Sequence, residues 1–239
     1  NTFTSARRDA LSRLWGGIKE RRMSLQNMRM GKKTLKAFVC WSGGKDSALT
    51  LYRAKKEGVK VMYLLNMLAE DRKFSRSHGL PSGILREQAE RIGIPILQCP
   101  SSWKEYERKF KDKVFELKKE GIDAGIFGDI DLEEHRRWVE RVCRDTGIKP
   151  LLPLWGEDRE RLLKDFIKVG FRAILVTVNL KFLDERWLGR EVNQEFIEDL
   201  KALGGVDLCG EKGEYHTFVF DGPILKEKLK FSLGKKIFK

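Results

Sequence analysis

The sequence predicts an α/β protein: a Rossmann-like parallel sheet of five strands with helices on both faces, followed by a smaller mixed α/β C-terminal unit. Two observations predict it. Over residues 36–155 short apolar runs alternate with segments of helical spacing, and strands that alternate with helices imply a parallel sheet covered on both sides. After Trp155 the pattern changes, and the chain ends on a glycine turn and one more apolar run.

In chain order, KAFVCW (36–41) reads as a buried strand, 45–57 as a helix and VKVMYLL (59–65) as a second strand. A polar loop follows. ILREQAERIG (84–93) has helical spacing, IPILQC (94–99) is a third strand, and 103–119 is a long charged helix. DAGIFG (123–128) supplies a fourth strand, 132–146 a helix, and KPLLPLW (149–155) a shorter strand-like run. The last third reads as a helix (158–168), the strand FRAILVTV (171–178), a helix near 191–202 and the strand EYHTFVF (214–220). The expected organisation is a basic extension over 1–34, a phosphate-loop domain over 35–155 and a smaller α/β domain over 156–239.

Composition narrows the class. At 239 residues the chain can bury a sizeable core. No apolar stretch approaches the roughly 18 residues of a membrane helix, which predicts a soluble protein. Cys40, Cys99, Cys143 and Cys209 are widely spaced, with no Cys-x-x-Cys pair. That argues against a disulfide framework and against a Cys-rich metal site, and it suits a reducing, cytoplasmic compartment. The chain is rich in Lys, Arg and Glu and poor in Asn and Gln, a bias that fits a heat-loving source.

The net charge of +13 invites a nucleic-acid reading, so its location matters. Residues 1–34 carry nine Lys/Arg against two Asp/Glu, and residues 224–239 carry six Lys against one Glu. The body between them, 35–223, is left at +1. No basic stripe runs along it, which argues against direct nucleic-acid binding. The first 34 residues look foreign to the rest: Leu11, Leu14, Trp15 and Ile18 share a helical face that Gly16 and Gly17 weaken. Arg-rich and acid-poor, this stretch faintly resembles a transit peptide; an added segment, dispensable for activity, is the expectation.

The chemistry is concentrated in Ser42-Gly43-Gly44-Lys45-Asp46-Ser47, the turn between the first strand and the first helix. Two glycines let the backbone approach an anion, and the helix N-terminus offers free N–H groups with a favourable dipole. Ser42 and Ser47 add hydroxyls and Lys45 a positive charge. Asp46, in the first helical turn, can orient a metal ion or favour the dipole. The loop is not a Walker A motif, which needs a glycine where Val39 stands.

The string S-G-G-K-D-S after a strand resembles the pyrophosphate loop of the N-type ATP pyrophosphatases. "FGDIDLEEHRRWVERVC", "GIKPLLPLW", "TVNLKFLDERWLGREV" and "CGEKGEYHTFVFDGP" narrow the likeness. Together these blocks resemble the diphthine–ammonia ligases over about 36–223, and the short chain resembles the archaeal form. The resemblance implies ATP and Mg2+ as cofactors, cleavage of ATP between its α- and β-phosphates, and an acyl adenylate. It further implies ammonium and diphthine-bearing translation elongation factor 2 as partners, with diphthamide, AMP and pyrophosphate as products. One departure stands out: Lys212 replaces the first glycine of a run that often reads Glu-Gly-Gly-Glu-Tyr. Were φ positive there, Lys212 would be strained.

Other candidates follow. Gly128 and Asp129 end the fourth strand, facing a nucleotide across the switch point, with Asp129 a metal or ribose ligand or a helix cap. His78 is placed to close over ATP or to lie in solvent. The resemblance draws attention to His135, Trp138 and Glu140. Asp184, Glu185 and Arg190 are expected to reach the acceptor, with surface ion pairs as the competing account. Glu211, Glu214, Tyr215, His216 and Thr217 form the second cluster. Attack of neutral ammonia on an acyl adenylate needs a carboxylate or imidazole to take a proton. Carboxylates also hold cations, and Tyr215 can add a cation–π contact to the trimethylammonium of diphthine. Glu211, Glu214 and His216 are therefore expected, with Lys45, to carry the chemistry, and Glu214 and His216 to lie at the acceptor end, far from the β-phosphate. The competing functions are a related enzyme acting on tRNA or a small carboxylate, and a non-enzymatic nucleotide sensor. Both a monomer and a homo-oligomer are compatible with the sequence.

Overall fold

The computed structural model describes residues 34–237, so the helical face of Leu11, Leu14, Trp15 and Ile18 lies outside the described residues. The five-stranded sheet is formed by β1 (Lys36–Cys40), β2 (Lys60–Leu68), β3 (Ile96–Pro100), β4 (Ala124–Ile126) and β5 (Lys149–Leu151). Its order is β3-β2-β1-β4-β5, and every pairing is parallel. Ala37, Phe38 and Val39 of the central strand are fully buried, because both faces of a parallel sheet are covered. The chain steps outward from β1 to β3, then returns to the other side of β1 for β4. The strand order therefore reverses between β1 and β4, and the cleft at their carboxyl ends is where such sheets take ligands.

Helices α1 (Lys45–Lys56), α2 (Ser82–Ile92), α3 (Tyr106–Lys119) and α4 (Glu133–Thr146) cover the sheet. Two apolar clusters result. Phe38 of β1 packs edge-on against Phe110 of α3 and against Phe127, each at 6.1 Å between ring centres. The larger cluster joins Ala48 and Leu51 of α1 and Leu85 and Ala89 of α2 to the C-terminal unit. That unit comprises α5 (Arg159–Lys168), β6 (Arg172–Val178), α6 (Gln194–Leu203) and β7 (Tyr215–Asp221), with β6 and β7 antiparallel. Phe196 and Phe218 from this unit belong to the same cluster as α1 and α2, so one core runs through both.

Four boundaries differ from the sequence reading by three residues or more. β2 continues to Leu68, because Asn66, Met67 and Leu68 pair with Gln98, Cys99 and Pro100 of β3. α3 starts at Tyr106, after a turn in which Ser102 Oγ accepts the Glu105 N–H at 3.2 Å. β5 stops at Leu151, and α6 starts at Gln194, where Asn193 Oδ1 accepts the Phe196 N–H at 2.8 Å. The basic segment after residue 223 is anchored by apolar contacts. Ile224 and Leu229 are buried, and Phe231 meets Phe218 edge-on at 5.3 Å. Among the described residues no helix is long and apolar enough to cross a membrane, and all four cysteines are free.

Candidate active site

A cavity of about 470 Å3 opens over the carboxyl ends of β1, β2 and β4 and is closed on one side by the turn before β7. The phosphate loop forms its floor. Gly43 takes φ +82°, and a Cβ there would lie 2.4 Å from Leu85 Cδ2, so the position tolerates no side chain. Gly44 is extended, but a Cβ would come within 2.3 Å of the His78 ring. Ser47 Oγ donates to the Gly44 carbonyl at 2.9 Å, and the Gly44 N–H meets Ser42 Oγ at 3.3 Å. A Cβ on Gly128 would press on the Asp46 carbonyl carbon at 3.2 Å, which explains glycine where β4 runs past the loop.

The loop is braced from outside. Gln88 of α2 donates from Nε2 to the Gly43 carbonyl (3.0 Å) and to the Val219 carbonyl of β7 (2.7 Å). Its Oε1 accepts the Trp41 indole N–H at 3.0 Å. The Lys45 N–H donates to Thr217 Oγ1 at 3.0 Å, and the Val219 N–H donates to the Gly43 carbonyl at 3.0 Å. Thus β7 is laid directly against the loop.

The Lys45 side chain is buried. Its ammonium donates to Asp46 Oδ2 at 2.8 Å and to the Cys209 carbonyl at 2.5 Å, and lies 5.3 Å from the Tyr215 ring centre. Burial alone would lower its pKa, yet the Asp46 carboxylate holds it well above the ordinary lysine value, so the ammonium stays charged. The Tyr215 hydroxyl donates to the Leu208 carbonyl at 2.5 Å. The cation on Tyr215 is Lys45 of the same chain, a correction to its expected contact with the acceptor.

His78 and His216 stack at 4.5 Å with 27° between planes. His78 Nδ1 lies 3.1 Å from the Thr217 carbonyl; because a carbonyl only accepts, Nδ1 carries the proton. Burial, then His216, pushes the His78 pKa down to about 3, and burial pushes His216 down to about 4. Both rings are neutral near pH 7. Across the cavity, His135 Nδ1 meets Asp129 Oδ1 at 3.1 Å, and that hydrogen bond raises the His135 pKa. Glu211 also lines the cavity, with its pKa pushed up to about 7 by burial and by the Asp46 carboxylate.

The cavity therefore brings together Ser42, Lys45, Asp46, Ser47, His78, Gly128, Asp129, Glu211, Tyr215, His216 and Thr217. It also gathers His135 and Trp138, while Glu140 pairs with Arg136 at 2.7 Å on an exposed helical face. Three further expectations fail. His216 lies beside the phosphate loop rather than far from it: its ring stacks on His78, and its neighbours Thr217 and Val219 are hydrogen-bonded to Lys45 and Gly43. Glu214 does not line the cavity: it is buried and accepts the Lys212 N–H at 3.0 Å and the Asp207 N–H at 3.4 Å. Asp184, Glu185 and Arg190 do not line the cavity. Asp184 caps a short turn and pairs with Arg186 at 2.7 Å, Glu185 is exposed, and Arg190 pairs with Asp199 at 2.6 Å.

Lys212 carries no backbone strain: Arg72 is the non-glycine residue with positive φ among the described residues, and Gly210 and Gly213 take the left-handed positions of this turn. Asp46 and Asp129 supply two carboxylates to the cavity, but among the described residues no three His, Cys, Asp or Glu side chains are grouped to hold a metal. Sequence reasoning missed Gln88, Asn66, Arg76 and Trp103. Only Asn66 left a signal, as a polar residue continuing an apolar strand.

Fold and loop define an α/β nucleotide-binding protein whose phosphate loop follows the first strand. Within that class, family models for the diphthamide synthase N-terminal domain and C-terminal domain match residues 35–150 and 158–239. A diphthine–ammonia ligase from Rattus norvegicus is 30% identical over 79% of each chain, and one from Danio rerio is 30% identical over 79% of this chain and 83% of its own. A solved structure described as a predicted subunit of tRNA methyltransferase from Methanocaldococcus jannaschii covers 82% of this chain at 18% identity and a TM-score of 0.44. The chain belongs to the diphthine–ammonia ligase family, whose members are ligases forming a C–N bond.

Proposed function

We propose that the chain amidates diphthine on translation elongation factor 2 with ammonium, using ATP to form an acyl adenylate and releasing AMP and pyrophosphate. The observation that carries this reading is one cavity holding both a phosphate loop and Glu211, a carboxyl that titrates near neutrality. The loop N–H groups and the hydroxyls of Ser42 and Ser47 receive the β- and γ-phosphates, and Lys45 supplies charge beneath the leaving pyrophosphate. Mg2+, which typically takes one or two carboxylates together with substrate phosphates, would be held by Asp129 and Asp46 and would neutralise phosphate charge.

Ammonium must lose a proton before its nitrogen can attack the acyl carbon. A base works best with a pKa near the working pH. Glu211, at about 7, meets that condition, whereas His78 and His216, at about 3 and 4, are too weak as bases. We assign proton removal to Glu211 and loop packing to the two histidines. Glu214 shapes the turn that presents Glu211.

The test is incubation with diphthine-bearing elongation factor 2, ATP and ammonium, weighing the acceptor and separating the nucleotides. Amidation with AMP and pyrophosphate is expected. An acceptor of unchanged mass would overturn the reaction, and ADP with phosphate would overturn the cleavage site.

A further inference from the structure

The turn before β7 holds a buried carboxylate that takes no part in the chemistry above: the Asp207 side chain is 3% exposed. Taking a carboxylate out of water is costly, and apolar packing often serves stability as well, so a buried ion pair calls for a reason. The partners of Asp207 are specific. Its Oδ1 accepts the Cys209 N–H at 2.7 Å, its carbonyl accepts the Gly210 N–H at 3.0 Å, and Gly210 takes φ +71°. The chain so folded presents the Cys209 carbonyl to the Lys45 ammonium at 2.5 Å. An ammonium has three N–H donors. In Lys45 one goes to Asp46 and one to Cys209, which fixes where the remaining donor can point.

Asp207 is itself held from outside the cavity. Arg159, the first residue of α5, donates from Nη1 to Asp207 Oδ2. The Nε edge of the same guanidinium forks onto Asp131, Nε to Oδ2 at 3.0 Å and Nη2 to Oδ1 at 2.6 Å, a geometry that fixes the plane of the group. The Arg159 carbonyl accepts the Cys209 thiol at 3.4 Å, so Arg159 meets the turn with side chain and backbone. Asp131, Arg159 and Asp207 do not line the cavity. Contacts therefore run unbroken from Asp131, in the loop after β4, through Arg159, Asp207 and Cys209 to Lys45. Stapling the two units together does not need them. Arg53 of α1 already pairs with Glu157 at 2.7 Å and Asp165 at 3.1 Å, and one apolar core joins both units.

We propose that Asp207 and Arg159 are positioning residues: the pair locks the turn so that the Cys209 carbonyl seats the Lys45 ammonium against the leaving pyrophosphate. The inference rests on the reading of Lys45 as the charge beneath that leaving group. Neither residue touches substrate, and their effect differs in sign from plain electrostatics. Neutralising Asp207 removes a negative charge near an anion site, which by itself tightens anion binding. Loosening the seat of Lys45 weakens it, and only for a ligand that reaches Lys45.

The experiment is calorimetric titration of the whole protein with pyrophosphate and, separately, with AMP, both in excess Mg2+. Asp207→Asn should weaken pyrophosphate about tenfold, the scale of one hydrogen bond to a charged group, and leave AMP within about twofold. Tightened or unchanged pyrophosphate binding would overturn the inference while leaving Lys45 on the leaving group. Equal loss of both ligands would also overturn it, since a loosened fold acts on both. Asp131→Asn is the second variant, decisive if Asp207→Asn fails to fold, because its side chain is 38% exposed and outside the cavity. It should weaken pyrophosphate about threefold and spare AMP; an unchanged pyrophosphate affinity would overturn the relay through Arg159. In the double variant the Asp131→Asn effect should vanish, because the contact it acts through is already broken, and full additivity would overturn the relay. A parent protein that shows these shifts but makes no amide would overturn the proposed reaction and leave the positioning pair standing. A parent that binds no pyrophosphate would overturn both.

Discussion

The phosphate loop and the turn before β7 face each other across one cavity, yet they are built in opposite ways. The loop keeps its shape through backbone conformation and close packing: Gly43 at positive φ, Gly44 under the His78 ring, Gly128 against Asp46. The turn keeps its shape through side chains that bind backbone. Glu214 accepts two N–H groups, the Tyr215 hydroxyl reaches the Leu208 carbonyl, and Asp207 Oδ1 accepts the Cys209 N–H at 2.7 Å. In the first region a reactive-looking residue is where its chemistry would be wanted. In the second, Glu214 is spent on architecture and Tyr215 ties its hydroxyl to backbone, and it is Glu211 that brings a carboxyl to the cavity.

The largest expected effect tests the loop side. Lys45→Ala should lower amidation turnover by about 10²–10³, the usual cost of one lost electrostatic contact at a leaving group. Single-turnover kinetics beside a thermal melt separates this from unfolding. A loss below tenfold would mean that the ammonium serves Asp46 and Cys209 rather than phosphate.

Next comes Glu211, the proposed base of the turn side. Glu211→Gln should cost about 10² in turnover. A base works deprotonated, so the parent rate should rise as pH climbs through about 7 and then level off, while the variant profile should be flat across that range. A parent profile without an inflection near neutrality would remove Glu211 from this role.

Glu214→Ala should act on stability instead. Two N–H groups lose their buried partner, at about 1–3 kcal/mol, and in a domain of this size the melting temperature drops about 2–4 °C per kcal/mol. Turnover per folded molecule should stay within a few-fold. A collapse of turnover at unchanged melting temperature would return Glu214 to the chemistry. The smallest effect is expected from Asp184→Ala, an exposed pair with Arg186: an unshifted thermal melt and unaltered amidation.

The contrast also explains what could be read in advance. The strands of the sheet were legible because each is an apolar run between turn residues, and the loop because its residue types match the anion chemistry of a helix start. Glu214 was misread because a carboxylate that holds two backbone N–H groups has the same one-letter code as one that moves a proton. Burial and partner, absent from a one-dimensional pattern, tell them apart. Gln88 and Asn66 matter through partners across the fold, Gly43 and Val219 for one, Trp41 for the other, and no local spacing announces either. Trp103 was read as part of a helix, and only the later start of α3 puts it on the cavity wall. Asp184, Glu185 and Arg190 follow an apolar strand as Asp129 does, but that strand belongs to the two-stranded sheet rather than to the one that surrounds the cleft.

The hydrogen bond from Lys45 to Thr217 joins residues 172 positions apart. On a ribosome, the stretch that encodes the phosphate grip emerges well before the strand that clamps it. A nascent chain can lay down β1 to β5 while the Lys45 amide and the Gly43 carbonyl still face water. Its nucleotide grip is therefore completed only once β7 has emerged, and a chain broken off before β7 would keep the five-stranded sheet but lack the braced loop.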